Sequence, residues 1–92
     1  MNMKSKKFYH SDDVITFPIL EGKAIHNLID DTFYELNSET AEEIWDYLDG
    51  ILTIEEITQK LAQKYDVDSG QLIKDIEEFI IYLLENNLIK EV

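Results

Sequence analysis

His10 and His26 are the only imidazoles in this chain, and cysteine is absent altogether. Thiol catalysis, a disulfide framework and thiolate metal sites are thereby excluded. Two isolated histidines with no paired spacing do not make a metal site either. Acids come as neighbours at Asp12-Asp13, Asp30-Asp31, Glu42-Glu43, Glu55-Glu56 and Glu77-Glu78. Adjacent residues lie about 100° apart on a helix and on opposite faces of a strand, so such pairs do not converge on a substrate as acid and base. They read as solvated faces. The sequence contains no glycine-rich phosphate loop, no nucleophile elbow and no metalloprotease spacing. It therefore reads as a protein that is not an enzyme and has no cofactor or metal, and the remaining chemistry is binding.

Composition restricts what could be bound. Ninety-two residues suit one domain, and 45% apolar residues with 11% aromatics can build a core without covalent staples. The formal charge is −12, from eight lysines and no arginine against twenty acids. Lys4, Lys6 and Lys7 lie in the first ten residues, so positions 11 to 92 hold five lysines against all twenty acids, a charge of −15. Such a body repels phosphate backbones and lacks arginine, the commonest reader of guanine. A cationic peptide or basic protein surface is a better match. The first ten residues have no apolar run of a secretory signal, and the longest apolar run, 79 to 84, is far short of the roughly twenty residues a membrane span needs. These features predict a cytoplasmic protein, with residues 1–12 a flexible head and 13–92 the folded domain.

The elements that would position a binding site follow from periodicity. Residues 14 to 17, 24 to 29 and 32 to 36 are rich in β-branched and aromatic types and read as three antiparallel strands, the last two joined by a tight turn at Asp30-Asp31. Pro18 lacks an N–H, which puts the first strand at a sheet edge or ends its pairing there. From Asn37 the period becomes helical. Asn37 is the predicted cap of the first helix, which stops at Asp49-Gly50; Thr53 with Glu56, and Asp68 with Gln71, are predicted capping boxes for the second and third. The third helix runs from about Ser69 to Asn86, with Asn87 as a left-handed stop. At 100° per residue its apolar positions from Leu72 to Leu84 fill an arc of about 140°, wider than the roughly 100° that one core requires. Ile81 and Tyr82 fall outside that arc. One flank of the stripe is therefore free to line a groove, unless the helix simply packs against both sheet and helices.

Strands followed by three helices suit an α+β winged helix-turn-helix, for which a DNA-binding regulator is an alternative that the charge disfavours. Asp68-Ser69 resembles the start of the carrier site of an acyl carrier protein, but Gly70 follows where that site has leucine, and the strand-rich beginning does not fit an all-helical bundle.

Leu36-Asn37, Ile44-Trp45, Leu48-Asp49-Gly50, Thr53 to Ile57, Tyr65-Asp66-Val67, Asp75, Phe79, Leu83 and Leu88-Ile89, in this order and spacing, resemble the PqqD family across about residues 14 to 91. Asn87 stands where that family usually has glycine, a change that asparagine's tolerance of left-handed backbone makes minor. The resemblance implies a winged-helix RiPP recognition element. Such a domain binds the leader of a ribosomally made precursor by strand addition and delivers it to a leader protease and cyclase of lasso type, slightly favoured, or to a radical SAM maturase. On this sequence the implied peptide-binding positions are Thr32, Phe33, Tyr34, Glu35 and Leu36 on the third strand, with Asp75, Ile76, Phe79, Ile80 and Leu83 on the third helix. Which alternating set of the strand meets the peptide, Phe33 and Glu35 or Tyr34 and Leu36, stays open at this point. The implied partners are the leader peptide and a modifying enzyme or protease, with no nucleic acid and no membrane.

Overall fold

The computed structural model describes residues 3–92. Six strands and three helices follow in the order β1 (Lys7–His10), β2 (Val14–Ile19), β3 (Gly22–Asn27), β4 (Thr32–Leu36), α1 (Glu39–Tyr47), β5 (Asp49–Thr53), α2 (Ile54–Tyr65), α3 (Ser69–Glu85) and β6 (Ile89–Glu91). The class is α+β, with two three-stranded antiparallel sheets, β5-β1-β6 and β2-β3-β4. Three strands are predicted from the sequence and found as β2, β3 and β4; β1, β5 and β6 are additional. Residues 7–10, assigned above to a flexible head, form the central strand of the first sheet, with Phe8 buried in the core. The strand is only four residues long, and its single buried side chain gives no period to read.

Boundaries shift where side chains compete for the backbone. β3 ends at Asn27, not at Ile29, because the Asn27 Oδ1 accepts the Ile29 N–H at 3.0 Å and turns the chain. The connection to β4 is therefore four residues, with Asp31 left-handed at φ 59°. Hydrogen bonds from Thr32 hold Asp30 below the usual carboxylate range and fix the end of this loop. Ser38, not Asn37, caps α1: its Oγ accepts the Ala41 N–H at 3.0 Å. Asn37 instead donates toward Glu35 Oε2 at 3.5 Å. Thr53 and Glu56 make the predicted reciprocal capping box at 3.1 and 2.8 Å. Asp68 caps α3 through the Gly70 N–H at 3.3 Å, while Gln71 does not reach back but donates to Asp75 at 3.2 Å. Asn87 is left-handed as predicted, and the bonds Leu88 N–H to Leu83 C=O and Asn87 N–H to Leu84 C=O complete a Schellman stop. Gly50 is left-handed too, at φ 83°, but lies inside β5, where the pairing with β1 is bulged.

Trp45 joins the two sheets. It is fully buried on α1, and its Nε1 donates to Thr16 of β2 at 2.9 Å. Its carbonyl accepts from His10 Nε2 at 2.7 Å, and the His10 ring stacks on the indole at 3.7 Å and 11°. Around it pack Phe8, Ile25, Leu36, Ile44, Leu48 and the apolar faces of α2 and α3.

Burial pushes the His10 imidazole below its ordinary pKa, against the opposing pull of the Trp45 carbonyl, Asp46 and Asp49. The unfolded chain thus takes up the His10 proton more readily than the folded one. This contribution to stability is complete above about pH 6.5 and is lost as pH falls through the interval between the two values. The melting temperature is expected to fall as pH drops below about 6.5, and His10→Phe should flatten that slope.

Candidate peptide-binding edge and groove

The β2-β3-β4 sheet has two edges of different character. On β2, Pro18 removes a backbone donor, which blunts that edge against further pairing. On β4, Thr32–Leu36 carries neither proline nor lysine and is hydrogen-bonded to β3 on one side only. Alternate residues of β4 therefore turn N–H and C=O groups away from the sheet, ready to pair with an extended chain.

The register fixes which side chains lie where. Paired residues share a face, so Tyr34 with Ile25 and Leu36 with Lys23 point inward, while Phe33 with His26 and Glu35 with Ala24 point outward. Leu36 is thus buried and Tyr34 half-buried against the core. The Tyr34 hydroxyl donates to Asn86 Oδ1 at 3.2 Å, and its ring meets Tyr82 edge-on at 6.2 Å and 81°. Asn86 is held in turn by its Nδ2 donating to the Tyr82 carbonyl at 2.8 Å. These contacts join β4 to the last turn of α3.

Along α3 the stripe bearing Tyr82 and Asn86 continues through Phe79, Asp75 and Leu72 by helical spacing. Phe79 and Leu72 are half-buried, Asp75 is exposed, and Tyr82 is 48% exposed. Beyond them a shallow hollow of about 310 Å³, lined by Val67, Asp68, Gln71, Leu72 and Asp75, extends toward the α2–α3 turn. The structure thus sorts the implied positions on this helix. Asp75 and Phe79 lie on the accessible flank. Ile76, Ile80 and Leu83 are fully buried in the core and offer no surface, because they sit at the centre of the wide apolar arc and not at its edge. Tyr82 and Asn86 are also on the flank, although neither is among the positions implied from the sequence; an aromatic three residues after Phe79 and seven after Asp75 is the signal that points to Tyr82.

The remaining candidates resolve into structure. His10 and His26 lie on different sheets, and among the described residues no group of three or more histidine or acid side chains could hold a metal ion. Glu43 accepts from Lys64 Nζ at 2.7 Å and from the Tyr65 hydroxyl, contacts that keep its carboxyl below the usual range and clamp α1 to α2. Among the described residues no helix is long and apolar enough to cross a membrane.

The profile of the family described as Coenzyme PQQ synthesis protein D (PqqD) matches residues 22–89, a stretch that contains β3, β4 and all three helices. The chain belongs to the PqqD family. Among solved structures, this PqqD-family chain is similar to TbiB1 in complex with the TbiA(beta) leader peptide, at 24% identity and TM-score 0.80, covering 89% of this chain and 94% of that one. It is also similar to lasso peptide synthetase B1 complexed with the leader peptide, at 20% identity and TM-score 0.79, covering 91% and 98%. At these identities the likeness is one of fold. No curated protein matches the chain.

Proposed function

We propose that this PqqD-family protein is a non-catalytic RiPP recognition element. It captures the leader of a ribosomally made precursor as an added strand on β4 and presents the rest of the precursor to a modifying enzyme. The observation that carries this reading is the unblunted β4 edge, joined to the last turn of α3 through Tyr34, Tyr82 and Asn86. The backbone of Thr32 to Leu36 supplies affinity. Tyr34 from the strand, with Asp75, Phe79 and Tyr82 from α3, lines the groove for alternate leader side chains, and Ile76, Ile80, Leu83 and Leu36 support it from beneath. Family membership and the leader complexes formed by the two similar folds support the same assignment. They also favour a lasso pathway, with a separate leader protease and cyclase, over a radical SAM maturase. The winged helix-turn-helix description belongs to this reading, with α2 and α3 as the helix pair and β2-β3-β4 as the wing, and so does a cytoplasmic site of action.

The test is binding of the purified protein to synthetic leader and core segments of its cognate precursor, followed by fluorescence anisotropy across a salt series. Leader binding without core binding is expected. For a leader of net positive charge, association should slow as salt rises while dissociation changes little, because complementary charge acts mainly on encounter and is screened over about 8 Å at physiological ionic strength. Binding confined to the core segment, or tight binding of duplex DNA, would refute the assignment, the latter in favour of a winged-helix regulator.

A further inference from the structure

A strand added to β4 has two faces, and only one of them looks into the groove. Its other side chains emerge on the outer face of the β2-β3-β4 sheet, beside Phe33 and Glu35, at ordinary cross-strand separations of about 4.5–5.5 Å between Cβ atoms. That outer face is not an ordinary solvated one. Ile15 on β2 and Phe33 on β4 are 48% and 58% exposed, with the half-buried Phe17 and His26 between them. The other face of the sheet is the one covered by the core, since Thr16 and Ile25 point to Trp45 and its neighbours.

Phe33 is held in place before anything binds. Its ring stacks on His26 at 4.1 Å and 9°, and Phe17 meets it edge-on at 6.4 Å. The His26 ring is fixed from its far end by Asp31, whose Oδ1 lies 2.6 Å from Nε2. An aromatic surface immobilised in this way gives up little rotamer freedom on contact. Two residues further along the same edge and on the same face stands Glu35, exposed, with the small Ala24 paired beside it. An apolar platform and a carboxylate are therefore spaced as i and i+2 on the strand that the leader would join.

We propose that the outer face of this sheet is a second specificity surface for the leader. Phe33 selects an aromatic or apolar side chain and Glu35 a lysine or arginine two residues away on the same face of the added strand. The proposal rests on strand addition at β4 and deepens it by naming the chemistry of the leader residues that point away from the groove. The occupant is the leader and not a separate protein, because the platform is continuous with the pairing edge and the acid beside it matches the cationic partner that the overall charge of −12 favours.

The experiment uses the full chain and an alanine scan of the synthetic leader of the cognate precursor, titrated against the wild-type protein, Phe33→Thr, Glu35→Lys and the control Ile51→Ser. Ile51 is exposed on the other sheet. Phe33→Thr is expected to weaken the leader about tenfold and to make one leader position insensitive to alanine. Glu35→Lys should weaken it several-fold and be rescued when the basic leader residue two positions from that site is changed to glutamate. Ile51→Ser should bind as wild type. Phe33→Leu, which keeps bulk but not the ring, covers the case in which Phe33→Thr melts, and should retain an intermediate affinity. Wild-type leader binding that neither Phe33→Thr nor Glu35→Lys alters by twofold, with melting unchanged, overturns the outer-face proposal and leaves strand addition standing. Failure of the wild type to bind any leader overturns strand addition itself. A dimer seen by sedimentation in the wild type and lost in Phe33→Thr, with leader affinity intact, would assign the platform to a second copy and overturn the proposal.

Discussion

Replacing Trp45 with alanine is expected to cost about 3–5 kcal/mol of folding stability, whereas Phe79→Ala should cost much less and weaken leader binding tenfold or more. Trp45 is fully buried, and its removal opens a cavity, breaks the Nε1 bond to Thr16 and takes away the ring on which His10 stacks. Small domains hold only about 5–15 kcal/mol in total, so the variant should melt far below the wild type. Phe79 is half-buried on the flank of α3 and loses part of that burial at most. Thermal melts paired with leader titrations separate the two roles. A Phe79→Ala protein that melts early and binds leader normally would return Phe79 to the core and remove it from the groove.

The second large effect lies in the backbone of the peptide. N-methylation of the leader, one residue at a time, is expected to produce a period of two. Where an N–H faces β4, methylation deletes a hydrogen bond and inserts a methyl group into the ladder; each such position should lose about tenfold or more in affinity. The neighbours between them point their N–H groups to solvent and should lose little. A period of three to four would instead indicate a helix lying in the groove, and a flat profile would indicate side-chain contacts alone. Either outcome refutes strand addition whatever the fate of Phe79.

What could be read from the sequence was what local spacing determines. The Thr53 and Glu56 capping box and the left-handed Asn87 depend on neighbours within a turn, and both are found. Ser38 displaced Asn37 as cap because two adjacent residues were competent and only the backbone decides between them. The strands β1, β5 and β6 were hidden for a different reason. Each is short, and each is stabilised only by partners remote in sequence: Phe8 opposes Glu91 and Lys7 opposes Thr53. Asp49 to Thr53 also looked like a helix stop followed by a cap, and the strand between those signals carries little pattern of its own. On α3 the apolar arc is wide, and the structure buries its centre while leaving Leu72, Ile73, Phe79 and Leu84 partly buried. Sequence spacing alone does not separate Phe79, on the flank, from Ile76, Ile80 and Leu83, in the centre, because that division depends on how the helix packs against α2 and β6.

The pairing of β1 with β6 bears on how the chain acquires its structure. The hairpins β2-β3 and β3-β4 are closed by short turns and can form as soon as residue 36 is available, yet Phe8 waits for Glu91 before the other sheet is complete. Closing so long a loop is only modestly more costly than closing a short one, since each doubling adds about 0.6 kcal/mol, but it comes late. On a ribosome the β4 edge would therefore exist while β1 is still unpaired and the underside of Trp45 still lacks its His10 cover. An edge ready to pair is thus present on the nascent chain before β1 and β6 have completed the other sheet, which makes nascent-chain aggregation through β4 the hazard to look for when this protein is expressed faster than it can finish folding.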